Sequence, residues 1–89
     1  MEFVLAKPPR APGILEAASL DALWSACLPE DGVEHIRVHA SRAGARGVLF
    51  CLAPDVELAV ERSRALCHRA VTERPEFTGW QVARVGPPY

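Results

Sequence analysis

Three basic side chains alternate along one short segment of this sequence. His35, Arg37 and His39 stand two residues apart in the run VEHIRVHA, residues 33–40. On a β-strand such side chains share one face, at a spacing of roughly 6.5 to 7 Å. An imidazole beside a guanidinium can bind an anion or take part in acid–base chemistry. Because the sequence fixes no carboxylate beside either histidine, a solvated face of an edge strand is the simpler interpretation.

Two further arginines follow this run. Arg42 and Arg46 lie on either side of Gly44 in the segment SRAGAR, and with Arg37 they can concentrate positive charge at one end of the molecule. Such a cluster can hold a phosphate group, although neither a GxxxxGK[ST] nor a GxGxxG pattern accompanies it. The candidate ligand-binding residues are therefore His35, Arg37, His39, Arg42 and Arg46.

The other polar residues do not indicate catalysis or metal binding. No serine lies in a GxSxG motif, and Asp21, Asp31 and Asp55 fall at helix starts or in a turn, where capping accounts for them. The three cysteines lie in apolar stretches without CxxC spacing, which favours reduced core thiols over a disulfide or a zinc site. We therefore expect no cofactor and no metal, and the sequence favours a protein that is not an enzyme.

The composition is that of an ordinary globular domain. The chain has 89 residues, of which 49% are hydrophobic, and a formal net charge of -1. This length predicts a single domain over residues 1–89. A nearly neutral chain has no general attraction to polyanions, so neither nucleic acid nor a membrane surface is an expected partner. Neither a long apolar run nor a basic signal-peptide start is present, so a cytoplasmic protein is expected.

The pattern along the chain predicts strand, helix, strand, strand, helix and strand. Proline supplies several of the boundaries, because Pro8, Pro29 and Pro75 each end a predicted element. Ser19 is a candidate N-cap for the first helix. The predicted bounds are residues 2–7, 14 or 19 to 28, 33–40, 47–53, 55–73 and 79–85, with a tail at 86–89.

This order matches the split βαβ arrangement of a ferredoxin-like sandwich. In that α+β fold, two helices cover one face of a four-stranded antiparallel sheet and leave the other face open. Trp24 is expected in the core, because its neighbours at helical spacing are apolar. Depending on register, the residues on the uncovered face include Phe3 or Val4, Phe50 or Cys51, and Trp80 or Gln81.

Three families resemble this chain in motif or element order. The segment RGVLF, residues 46–50, resembles the RNP1 signature of RNA-recognition motifs, with Phe3 near the first-strand aromatic position, although Val48 and Ala53 replace two aromatic residues. The segment PGIL, residues 12–15, is similar to a turn of ACT domains, which bind amino acids between subunits. Length and order also resemble dimeric α+β barrels, which enclose cofactor-free oxygenase or cyclase sites. Because fold analogies say little about function, no family is assigned.

The expected function is that of a small, non-enzymatic protein-interaction module, adaptor or regulatory, that uses its open sheet face or an edge strand. It binds a partner protein or another copy of itself, and a homodimer is expected. Uncovered apolar side chains usually mark association, which makes Phe3, Phe50 and Trp80 the candidate interface residues. The alternative is a cofactor-free dimeric α+β-barrel enzyme or small-ligand-binding domain, with His35, His39 and Trp80 lining its pocket.

We predict that the protein forms no complex with single-stranded RNA at about 0.15 M salt, since its net charge is -1 and one central-strand aromatic is available for base stacking. Fluorescence anisotropy over a series of salt concentrations checks this. The control is a variant in which Arg37, Arg42 and Arg46 are all replaced by Gln. A salt-dependent complex of about micromolar affinity that the variant loses would contradict the prediction.

Overall fold

A four-stranded antiparallel sheet carries two helices on one face. The computed structural model describes residues 1–87, and Pro88 and Tyr89 of the predicted tail lie outside the described residues. The elements are β1 (Glu2–Ala6), α1 (Glu16–Ala26), β2 (Val33–Ser41), β3 (Gly44–Cys51), α2 (Val56–Glu73) and β4 (Gln81–Gly86), with short helical turns at Pro29–Asp31 and Pro75–Phe77. The strand order is β2-β3-β1-β4, which confirms the predicted ferredoxin-like α+β fold.

Phe3 and Gly47 lie directly opposite each other on the two central strands, β1 and β3. A Cβ atom at position 47 would lie 2.8 Å from the Phe3 ring, and it would also collide with the carbonyl oxygen of Arg37. The missing side chain of Gly47 therefore leaves the space that the Phe3 ring needs. Since side chains alternate along a strand, Phe3 and Leu5 face the helices and Val4 faces away from them.

Helix α2 is predicted to pack on the sheet through a stripe of residues at helical spacing, namely Val56, Ala59, Val60, Ser63, Leu66, Cys67 and Ala70. Asp55 caps its start, because its Oδ1 atom accepts a hydrogen bond from the Leu58 N–H at 2.8 Å. Val56, in the first turn of the helix, is instead 52% exposed, and Val60 is half-buried. The buried residues of the helix are Ala59, Ser63, Leu66, Cys67 and Ala70.

Helix α1 differs from its prediction at two residues. Its N-cap is Leu15, and Ser19 is buried within the helix, where its hydroxyl has no hydrogen-bond partner in the described residues. Ser19 is therefore not the N-cap. Trp24 is 40% exposed instead of lying in the core. Both differences follow from the orientation of α1, whose buried face is formed by Ser19, Ala22, Leu23 and Ala26.

The hairpin between β2 and β3 is longer than predicted. Its pairing continues to Ser41 opposite Gly44, so Arg42 and Ala43 alone form the turn, and Arg46 lies within β3. Gly44 has a φ of 148°, which favours glycine, and its position next to the Leu5 carbonyl leaves no room for a side chain. The segment lacks large apolar side chains, but the backbone ladder does not require them.

An ion pair fastens α2 to the connection between α1 and β2. Arg69 Nη1 donates to Asp31 Oδ2 at 2.9 Å and to the Ala26 carbonyl at 2.7 Å. The same Asp31 oxygen accepts a hydrogen bond from the Leu28 N–H at 2.7 Å. Hydrogen bonding to Asp31 raises the pKa of the Arg69 guanidinium above its ordinary value. This nearly buried group therefore fixes the turn from which β2 begins.

Replacing Phe3 and Phe50 separately by Ala distinguishes the two faces of the sheet. The Phe3 ring is 1% exposed, whereas the Phe50 ring is 47% exposed. Phe3→Ala should lower the free energy of unfolding by about 3 to 5 kcal/mol, because it leaves a cavity in the core. Phe50→Ala should lower it by less than about 1 kcal/mol. Urea unfolding of both variants measures the difference, and equal losses would contradict the assignment of the faces.

Candidate binding face of the sheet

The sheet face that points away from the helices is uncovered, and we refer to it as the open face. Strand register and exposure together identify its side chains. Its basic residues come from the edge strands β2 and β4 and from the central strand β3, whereas its small apolar residues lie near the middle. Its principal residues are Glu2, Val4, His35, Arg37, His39, Arg46, Val48, Phe50 and Arg84.

The structure brings most of the predicted ligand-binding residues together on this face. His35, Arg37 and His39 project from β2, as the alternation predicts. Arg46 lies opposite His39 on β3 and is therefore next to them. Arg42 is separate from this group, because it occupies the hairpin turn beyond the last paired residues.

Two arginines lie on either side of Val4. This residue pairs with Arg46 on β3 and with Arg84 on β4. Since neighbouring strands are about 4.8 Å apart, the backbones of the two arginines are separated by roughly 10 Å. Val4 and Val48 line a depression of about 530 Å³ on the open face, which Arg46, Arg84 and His39 also line. The arrangement places two guanidinium groups around a floor of small apolar side chains.

The charges of the open face are only partly balanced within the chain. Arg84 Nη2 lies 3.6 Å from Glu2 Oε1, and His39 Nδ1 lies 4.0 Å from Glu16 Oε1. In residues 1–87, no carboxylate lies within 4.0 Å of the Arg37 or Arg46 side chain. The face is therefore positive, and because the whole chain has a net charge of -1, the remaining surface is negative.

An aromatic pair lies near the end of β3 that is farther from Arg46. His35 and Phe50 are opposite each other on β2 and β3, and their ring centroids are 5.6 Å apart at an interplanar angle of 46°. Phe50 remains about half exposed, whereas Val4 and Val48 are partly covered by their neighbours. Val4, Val48 and Phe50 together form an apolar strip across β1 and β3, and we refer to these three residues as the apolar centre.

Two of the candidate interface residues lie in the core. The expectation that Phe3 and Trp80 are exposed is wrong, because Phe3 is 1% and Trp80 is 6% exposed. Phe3 projects toward the helices, opposite Gly47. Trp80 precedes β4 and packs against Phe77, with the ring centroids 5.1 Å apart. It therefore does not line a pocket with the open-face histidines, as the barrel alternative required.

Sequence reasoning missed Arg84. Strict alternation in β4 would place this residue on the same side as Val82, and Val85 on the opposite side. In the structure, Leu5 pairs with Val82 and Val4 pairs with Arg84, so Ala83 is an extra residue that forms a bulge. The bulge allows Val82 and Val85 both to pack inward while Arg84 joins the open face. No residue in the local sequence marks this shift.

The three thiols lie on the helix side of the sheet, and burial disfavours the thiolate form of two of them. Burial raises the pKa of Cys67 to about 12 and that of Cys27 to about 11. Only the thiolate form attacks a substrate, so neither group is activated. Cys51 Sγ is 3.4 Å from Ser63 Oγ, and all three cysteines are unpaired.

Among residues 1–87, no group of three or more His, Cys, Asp or Glu side chains is placed to hold a metal ion. In the same residues, neither helix has the length and apolar character needed to cross a membrane. The chain matches no family model, no curated protein and no solved structure.

Cys67 should resist alkylation in the folded protein. At about pH 8 its thiol keeps its proton, because its pKa of about 12 is well above the ordinary 9.0. For the same reason, the free energy of unfolding should decrease as the pH rises above 9.0 toward 12, where the unfolded chain loses the proton and the folded chain holds it. Mass spectrometry after iodoacetamide treatment, with and without urea, measures the protection.

The matched control for the pH dependence is Cys67→Ala, which removes this thiol and should unfold with a weaker dependence on pH in that range. Rapid alkylation of Cys67 without urea would contradict the prediction.

Proposed function

We propose that this chain is a non-enzymatic protein-interaction module that binds a partner protein through the open face. The single observation that carries the proposal is the apolar centre of Val4, Val48 and Phe50, with Arg37, Arg46 and Arg84 around it. Protein interfaces combine an apolar centre with a polar rim, and they are enriched in aromatic residues and arginine. The proposed role is that of an adaptor or regulatory protein in the cytoplasm, where free thiols such as these stay reduced.

The geometry of the open face favours binding over catalysis. A general base is usually oriented by a hydrogen bond to a third group. His39 lies 4.0 Å from Glu16, its nearest carboxylate partner, and this distance is too long for a hydrogen bond. This geometry and the burial of Trp80, which the barrel alternative places in its pocket, favour the interaction module over the barrel enzyme.

The charges favour a different protein over a second copy of this chain as the partner. Two open faces packed against each other would bring the three arginines of one copy toward those of the other, and like charges across an interface oppose association. At the free edge, the Ala40 N–H of β2 donates to Glu16 Oε1 at 3.2 Å, so the edge strand already has one of its backbone donors occupied. We therefore propose that the open face binds a different protein in a heteromeric complex.

A pair of charge-introducing variants tests this proposal. Phe50→Asp places a carboxylate in the apolar centre, and Val56→Asp places one on a residue of similar exposure at the start of α2. Partner proteins captured from a lysate of the native host by the unmodified chain should also be captured by Val56→Asp. Capture by Phe50→Asp should decrease by about tenfold or more, because the new carboxylate would have to be buried against the partner without a charge to pair with.

Two outcomes would overturn the proposal. The first is that the unmodified chain captures no protein, or that Phe50→Asp captures its partners equally well. The second comes from light scattering: if the unmodified chain forms a dimer that Phe50→Asp disrupts, the open face binds a second copy instead. Circular dichroism of each variant verifies that it is folded, as expected for substitutions of half-exposed residues.

A further inference from the structure

The arginines around Val4 are available to bind an anion. In the described residues, Arg46 has no carboxylate within 4.0 Å. Arg84 Nη2 lies 3.6 Å from Glu2 Oε1, a distance that is too long for a hydrogen bond. A surface ion pair of this kind is weak and exchanges readily with an incoming carboxylate. Guanidinium groups bind carboxylates through paired N–H donors, which provides direction as well as charge. The depression between Arg46 and Arg84 therefore suits one carboxylate group.

The position of Glu2 favours a polypeptide over a nucleic acid. Glu2 pairs with Val48, and its side chain lines the same depression, with its carboxylate 3.6 Å from Arg84. A polyphosphate chain that crossed the sheet would pass this negative charge, and the remainder of the molecule is negative as well. A polypeptide can instead place its carboxylates at the arginines and an apolar or basic side chain near Glu2. A polypeptide with separate acidic side chains therefore complements the charges of the open face better than a continuous polyphosphate chain does.

The spacing along β3 defines how such a segment fits. Arg46, Val48 and Phe50 project from the same side of this strand. Arg46 and Phe50 are four residues apart, a distance of about 14 Å at the rise of an antiparallel strand. An extended segment of similar length reaches from Arg46 and Arg84 to the exposed ring of Phe50. Arg37 lies opposite Val48 and is therefore beside the middle of this path.

We infer that the open face binds an extended acidic segment of a partner protein, with one carboxylate between Arg46 and Arg84 and an apolar side chain on Phe50. A second carboxylate of the segment lies at Arg37. This inference rests on the proposed interaction function and specifies the chemistry of the partner. It also gives the open arginines a role, since arginines elsewhere in the fold, such as Arg69 and Arg74, already bind carboxylates within the chain.

A titration followed by nuclear magnetic resonance tests the inference without knowledge of the natural partner. The probe, which we call the Glu-Val peptide, is Ser-Glu-Ser-Glu-Ser-Val-Ser, and it is added to isotopically labelled protein. When this peptide is extended, both Glu side chains and the Val side chain lie on one face, with the first Glu four residues from the Val. Binding at about 1 mM or tighter should shift the amide signals of Val4, Gly47, Val48 and Arg84 most strongly. A matched peptide with Gln in place of both Glu residues should bind at least about tenfold more weakly, because it lacks the charge.

Matched variants locate the binding site. The double variant Arg46→Gln with Arg84→Gln should weaken binding of the Glu-Val peptide by about tenfold or more. Arg10→Gln with Arg64→Gln removes the same total charge from exposed positions in the proline-rich connector and on α2, and it should leave the affinity nearly unchanged. Equal weakening by the two double variants would overturn the inference, because it would show attraction without a site.

The remaining outcomes are also decisive. If single-stranded polyuridylate binds the open face more tightly than the Glu-Val peptide does, the ligand is a nucleic acid and the inference is wrong. If no shift appears with the Glu-Val peptide, the acidic-segment inference is overturned. The proposed interaction function is then decided separately by the Phe50→Asp capture experiment, which tests the apolar centre with the natural partners instead of the peptide.

Discussion

The contact between Phe3 and Gly47 determines which side of each central strand faces the helices. Gly47 leaves the space into which the Phe3 ring packs, and the neighbouring Arg37 carbonyl would collide with any side chain at that position. A shift of the register by one residue would exchange the two faces of β1, exposing Phe3 and burying Val4. The loss of a buried aromatic ring makes that exchange costly. The composition of the open face, including its apolar centre and its arginines, is therefore a consequence of how the core packs on the other side.

The two sides of the sheet use arginine differently. Near the helices, Arg62 donates to the Leu52 carbonyl at 2.9 Å, and Arg69 and Arg74 bind carboxylates within the chain. These groups have structural partners and contribute to holding the turns in place. On the open face, Arg37 and Arg46 have no such carboxylate partner in residues 1–87. A net charge of -1 conceals this separation, which is why total charge alone does not identify the chemistry of a surface.

The fold was more predictable from sequence than the site was. The element order and the stripe of α2 follow from periodicity and from the positions of the prolines, which act locally. The orientation of α1 is harder to predict, because Leu23 lies between two possible buried faces. One face contains Trp24, and the other contains Ser19 and two alanines. Hydrophobicity favours the first face, whereas close packing against the sheet selects the second. The candidate site was found in part, since its β2 residues alternate regularly and its β4 residue does not.

Alternation is a property of the extended backbone, so the residue order alone places His35, Arg37 and His39 on one side of β2. The order of the elements likewise predicts a ferredoxin-like sheet with one open face. The burial of Phe3 and Trp80 and the position of Arg84 on the open face do not follow from the local sequence. The reason is that strand register and the bulge at Ala83 are set by pairing with β1 and by packing against the helices, which involve residues far apart in the chain.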